Sequence, residues 1–146
     1  MSLINTFETK LLDLIFTNTA CTNVGDAGGL LASAAPGNIY VSLHTADPTE
    51  SAANQSVSEM TYTGYARRAA VRSGTGWTVS GNSAVNALDI NMGEMSAGGP
   101  QTSTHFGLGF ASSGADVLYM TGTAALVIND GVDPQFAAGA LSVTLD

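Results

Sequence analysis

The sequence predicts a mainly β protein, an antiparallel β-sandwich or jelly-roll-like barrel of about seven or eight strands with one N-terminal amphipathic helix. Three observations predict it. Beyond residue 37, apolar and polar residues alternate in short runs, the period of a half-buried strand. Gly, Asn, Asp and Pro punctuate those runs at spacings of roughly 8–15 residues, the rhythm of an all-β domain. No helical stripe recurs between them. The expected domains are 1–36, a helix and small-residue arm, and 37–146, the β-sandwich.

At the N-terminus, Ile4, Phe7, Leu11, Leu14 and Ile15 fall at the spacing of one helical stripe, widened by Leu12 and Phe16. Asn5 followed by Glu8 reads as a capping-box variant, with Ser2 as the alternative cap. Thr19 to Pro36, with Gly25, Gly28 and Gly29, reads as a linker or flexible arm. Then the period becomes two, with Ile39, Val41 and Leu43 on one face and Tyr40, Ser42 and His44 on the other. Thr45 to Ser58, containing Asp47-Pro48, is a surface loop leading into a strand over Met60 to Arg72.

Gly74-Thr75-Gly76 supplies a hairpin turn, and Trp77 to Val79 and Val85 to Met92 are strands separated by a turn at Ser80 to Asn82. Gly93 to Thr104 is a long polar loop. Phe106, Leu108 and Phe110 alternate with Gly107 and Gly109, leaving a bare face that a close neighbour can approach. Ser112-Ser113-Gly114 is a turn, Val117 to Val127 gives one or two strands, and Asp130-Gly131 turns the chain again. Leu141, Val143 and Leu145 form the final strand.

A chain of 146 residues can bury a core without metals or disulfides. Only 11% of its residues are charged, against roughly 25% in an ordinary domain, so Thr, Ser, Asn and Gly must supply the polar surface. The net charge of -8, with 4 basic residues, opposes partnership with nucleic acid or an anionic membrane. Cys21 stands alone, which excludes an intramolecular disulfide and a cysteine zinc site. Leu3 to Phe16 is interrupted by Glu8, Lys10 and Asp13, so neither a signal peptide nor a membrane span is expected.

No constellation for catalysis, cofactor binding or metal binding is expected. His44 and His105 could pair with Asp47 or Asp89 for acid–base or metal chemistry, but lack ligand spacing, and an outward-facing structural role is favoured. No nucleophile elbow exists. Asn129 to Asp133 misses the EF-hand spacing and reads as a turn. The basic cluster stands out: Arg67, Arg68 and Arg72 are three of the four basic residues. Arg68 and Arg72 share a strand face, either as an exposed pair for a carboxylate surface or in cross-strand pairing. Arg67 faces the apolar side, where partial burial against Asp47 or Glu50 is expected. Candidate partner contacts are therefore Ile4, Phe7 and Leu11 on the helix, and Arg68 and Arg72.

Several stretches occur in an order and spacing that resembles a known family: Phe7-Glu8-x-Lys10-Leu11-Leu12-Asp13 with Ile15-Phe16, Ile39 through Pro48, and Tyr62-Thr63-Gly64-Tyr65-Ala66-Arg67. Trp77-Thr78-Val79, Thr104 through Gly109 and Pro134-Gln135-Phe136 to Val143 complete the set. The resemblance, over nearly the whole chain, is to small virion structural proteins of tailed bacteriophages, labelled tail-fibre-like, minor structural or decoration proteins. It implies a β-rich subunit without catalytic residues or cofactor, assembled in many copies on a virion.

Two functions follow as expectations. The first is a capsid decoration, or cement, protein made in the host cytoplasm. It binds the major capsid protein at the outer capsid surface as a homotrimer and resists internal DNA pressure through repeated modest contacts. The second is a tail-fibre or receptor-binding subunit recognising the host surface through loops such as Thr45 to Ser58. Small size and the lack of shaft repeats favour the first.

Overall fold

The computed structural model describes residues 3–25, 28–49, 54–114 and 119–145. Among them are one helix, α1 (Asn5–Phe16), and nine strands: β1 (Asn38–His44), β2 (Arg68–Val71), β3 (Trp77–Ser80), β4 (Ser83–Asn86), β5 (Ile90–Asn91), β6 (Gln101–Gly109), β7 (Tyr119–Ile128), β8 (Gln135–Phe136) and β9 (Ser142–Thr144). The chain is mainly β with a single N-terminal helix, as its sequence predicts. The strands form three sheets, ordered β2-β1-β6-β7, β3-β4-β9 and β5-β8. Two compact units emerge, one of Met1–Asn38, Ala70–Asp89 and Phe136–Asp146, the other of Ile39–Ala69 and Ile90–Gln135.

In the first unit, α1 packs on β3 and β4 through Glu8, Leu12 and Phe16, one residue per turn. The Phe16 ring meets Trp77 edge-on, with centroids 4.8 Å apart. That buried line lies beside the expected stripe, because apolar residues cover more of this helix than one face can hide; Phe7, Leu11, Leu14 and Ile15 are left half-buried. Ile4 occupies the N-cap without a side-chain cap bond, so Asn5 is not the cap but the first helical residue; Ser2 lies outside the described residues. The segment expected as an arm closes on itself. Cys21 and Leu30 exchange two backbone hydrogen bonds of 2.9 Å, and the Asn18 side chain holds Ser33 through bonds of 2.7–2.9 Å.

α1 has no basic residue in its last turn, although the last carbonyls of any helix need donors. Arg72 supplies them: its Nε and Nη2 donate to Ile15 O and Leu14 O at 2.6 and 2.7 Å, and Nη1 reaches Pro36 O at 3.1 Å. Arg72→Met keeps the apolar stem and removes these donors. It is expected to lower stability by about 2–3 kcal/mol, the scale of charged hydrogen bonds, measured by urea unfolding followed by helix-sensitive circular dichroism. A second fastening lies at Asn86, whose side chain donates to Leu88 O and Ala137 O and accepts from Leu141 N, all at 2.8 Å. This pins the segment that leads into β9, whose Val143 pairs with Ala84.

In the second unit, β1 and β6 pair antiparallel in the register Tyr40↔Gly109, Ser42↔Gly107 and His44↔His105. Ile39, Val41, Leu43, Phe106 and Leu108 build the core with Met60, Met92, Met95 and Ile128. The bare face predicted at Gly107 is real: a Cβ there would lie 2.7 Å from both His44 Nε2 and Ser42 Oγ.

The strand expected over 60–72 contracts to Arg68–Val71. Tyr65 N bonds back to Tyr62 O, and Gly64 adopts φ +105° in the left-handed region. The turn at Gly74 to Gly76 joins strands of different sheets rather than a paired hairpin. Val85–Met92 divides into β4 and β5, because Asn86 and Asp89 direct their side chains to backbone groups of 137–141. β6 begins within the stretch expected as loop, at Gln101.

Candidate interaction surfaces and buried polar sites

The residues expected to meet partners fall in different settings. Ile4 is 73% exposed, while Phe7 and Leu11 are half-buried along the outer side of α1. Arg72 lies at the opposite end of the same helix, committed to the carbonyls just described. Arg68, in the second unit, is half-buried, packs against Gly93, and has an Nε without a hydrogen-bond partner among the described residues. Nearby, burial and the charge of Asp133 push the Tyr62 phenol up to about 12, while Arg68 pulls it down. The Tyr62 hydroxyl donates to Gly93 O at 2.9 Å.

Arg67 is buried, and its partner is Glu59 rather than Asp47. Nε and Nη2 grip the two carboxylate oxygens at 2.8 Å each, the bidentate geometry that suits a planar fork. Asp47 stays exposed and accepts from Thr49 N at 2.8 Å, and Glu50 lies outside the described residues. Nη1 donates to Ala111 O at 3.1 Å, and Nη2 also lies 3.0 Å from Ser56 Oγ and 3.1 Å from Gly114 O. Glu59 also accepts the Tyr65 hydroxyl at 2.9 Å, and the Tyr65 hydroxyl oxygen in turn accepts Leu43 N at 3.0 Å. Burial, with the Glu59 charge, drives the Tyr65 phenol well above its usual range.

These groups form the floor of an open depression of about 340 Å³, with Thr61, Ser112 and Ser113 among its lining residues. Because the Arg67 charge is paired with Glu59, the floor offers hydroxyls and backbone groups rather than an unpaired cation.

His44 is fully buried, not outward-facing. Its Nδ1 sits 2.8 Å from Val57 O, and a carbonyl only accepts, so Nδ1 carries a hydrogen, while burial favours the neutral ring. Nε2 then accepts the Ser42 hydroxyl at 2.8 Å, and Ser42 Oγ accepts the Gln55 amide at 2.9 Å. The serine–histidine contact has the form of an activated nucleophile. Yet Ser42, His44 and Gln55 all have zero exposure, and Gly107 presses directly on the pair, so no substrate reaches the hydroxyl. His105 faces His44 across the strands and bonds Thr104, whereas Asp89 accepts Ala138 N in the other unit.

Burial holds the His44 imidazole below its ordinary value of 6.5, outweighing the Val57 carbonyl, which raises it. Below about pH 6.5 the unfolded chain takes up a proton that the folded chain refuses. Stability contributed by neutral His44 is therefore complete above that pH and falls as acid is added. Urea midpoints at pH 7.5 and 5.5 are expected to differ in the wild type and to converge in His44→Gln. An unchanged difference in the variant would assign the titration elsewhere.

The acidic run ending at Asp133 serves the backbone: Asp130 accepts Gly99 N at 3.1 Å and Asp133 accepts Gly93 N at 3.0 Å. This is turn chemistry of the kind its sequence predicts.

One surface escaped sequence reasoning. β7 is the outermost strand of its sheet, and Ala124, Ala125, Leu126 and Val127 are all exposed, Leu126 at 46% and Val127 at 54%. Val117 and Leu118, the first residues of the strand expected here, lie outside the described residues. The available signal was the uncharged run from Val117 to Asn129 in an acidic chain.

A family model described as Gp80, podophage GP4 fiber I protein gp80, matches residues 2–144. No curated protein matches the sequence.

Proposed function

Since the chain belongs to the podophage GP4 fiber I protein gp80 family, and so to the structural proteins of tailed-phage virions, we propose that it is a fibre subunit acting by assembly and surface contact, without catalysis. The match over residues 2–144 carries this reading. Its partners are further copies of itself and the host surface, met through loops such as Thr45 to Ser58, of which residues 50–53 lie outside the described residues. An acidic chain poor in Lys and Arg is suited to neither nucleic acid nor an anionic bilayer.

The capsid-decoration role draws on small size, a neutral polar surface and a helix suited to docking on a neighbour. Here α1 buries Leu12 and Phe16 within its own unit, which weakens the part of that support resting on the helix. Immunogold labelling of the particles that carry the chain tests the proposal. Label confined to tail fibres is the expected result. Even label over the shell, with saturable binding of the purified protein to shells lacking it, would overturn the fibre reading in favour of decoration.

A further inference from the structure

The depression floored by Arg67 and Glu59 lies wholly within the second unit and spans about 340 Å³, inside the range of roughly 300–1,000 Å³ typical of small-molecule sites. Ser56, near the end of the loop from Thr45 to Ser58, borders it. Thr61, Ser112 and Ser113 line it with exposed hydroxyls that have no hydrogen-bond partner among the described residues. Each hydroxyl donates one hydrogen bond and accepts two.

On the floor, Glu59 Oε1 accepts Arg67 Nε and the Tyr65 hydroxyl, whereas Oε2 accepts Arg67 Nη2 alone among the described residues. An ionised carboxylate has about four acceptor positions, so one remains on Oε2, and the Glu59 side chain is still 14% exposed. The half-buried Tyr65 ring stands edge-on to Tyr62, with centroids 5.3 Å apart, and its hydroxyl bond to Glu59 fixes its tip. The uncovered part of that ring adds apolar surface beside the polar groups.

These groups select a ligand class. An anion would meet no unpaired cation, in a chain of net charge -8. A metal ion would find a single carboxylate already neutralised by Arg67, and no metal-ligating cluster exists among the described residues. An apolar ligand would strip water from the hydroxyls without replacing its hydrogen bonds. We propose that the depression binds a neutral saccharide: Thr61, Ser112 and Ser113 exchange hydrogen bonds with its hydroxyls, Glu59 Oε2 accepts another, and the Tyr65 ring covers a C–H face. The bonds of Arg67 hold the carboxylate in place before the ligand arrives, which lowers the ordering cost of binding. The assignment deepens the fibre reading and rests on it for the saccharide's place on the host surface.

The test is a titration of the isotope-labelled full chain with D-glucose, D-galactose, D-mannose, L-rhamnose and N-acetyl-D-glucosamine, followed through its amide resonances. At least one sugar is expected to shift Thr61, Tyr65, Ser112 and Ser113 saturably, with a dissociation constant on the order of 1 mM. Thr61→Ala combined with Ser112→Ala removes two exposed hydroxyls and should weaken that binding about tenfold. Thr78→Ala, at an exposed hydroxyl of the other unit, should leave it unchanged. No saturable shift with any of the five sugars up to about 100 mM, shifts centred outside the depression, or tighter binding of galacturonate or inorganic phosphate than of every neutral sugar each overturns the proposal. Should the double variant fail to fold, the shift map of the wild type decides alone. The titration is read on the purified chain whatever the immunogold label shows, so loss of this site and loss of the fibre reading are told apart.

Discussion

Replacing Arg67 by alanine is expected to lower stability by about 3–5 kcal/mol, the cost of stranding one half of a buried ion pair. Removing the guanidinium leaves Glu59 facing the Tyr65 hydroxyl without its counter-charge, and leaves Ala111 O and Gly114 O without donors. For a domain of this size the loss corresponds to a fall in melting temperature on the order of 10 °C. The mechanism has its own check, because the damage is mainly an uncompensated carboxylate. Glu59→Gln in the Arg67→Ala background should recover part of the loss, while Glu59→Gln alone in the wild type should destabilise. Thermal and urea unfolding measure both. A loss under about 1 kcal/mol, the ceiling for exposed pairs, would mean the pair is solvated.

Gly64→Ala is expected to be comparably severe, at about 3–5 kcal/mol, by joining backbone strain to overlap. Gly64 holds φ +105°, and a Cβ there would lie 2.0 Å from the Glu94 carbonyl oxygen, a backbone atom that no rotamer can move. The opposing residue is Gly93, whose own Cβ would meet Gly64 O at 2.3 Å. The two glycines thus let backbone cross backbone beside the Thr63↔Ala97 bridge. Gly74→Ala is the control: open space surrounds that position, and the change should fall within about 0.5 kcal/mol of neutral. Equal unfolding midpoints for the two variants would refute the crossing as a constraint.

What the sequence makes legible is what depends on neighbours along the chain. The alternation in β1, the bare face at Gly107 and the turn at Asp130-Gly131 each have a local signature, and each is present. What is hidden depends on neighbours in space. Period two assigns His44 to the face opposite Val41 correctly, yet says nothing of whether that face is wet. It is dry because Gln55 and the Val57 carbonyl cover it. Arg67 was legible as a buried cation, but its partner Glu59 lies eight residues away around the bend at Gly64. Arg72 was read for its charge on a strand face, whereas its role is set by a helix end 57 residues earlier. The β7 edge was missed because an apolar strand reads alike in the middle of a sheet and at its rim.

The first unit is assembled from three separated stretches of chain, and this bears on how the protein emerges from the ribosome. A helix of 12 residues is marginal alone in water, and α1 has to wait for Trp77 and Arg72 before its C-terminal end and its apolar line are covered. Closure waits further, for Leu141 and Val143 at the far end. At translation speeds of about 5–20 residues per second, that interval is roughly 6–25 s. Throughout it the N-terminal segment presents Leu12 and Phe16 to whatever is near. The unit therefore folds late and all at once, with many long-range contacts to close, and a nascent chain is most exposed to chaperones and to misassociation through the end that was made first.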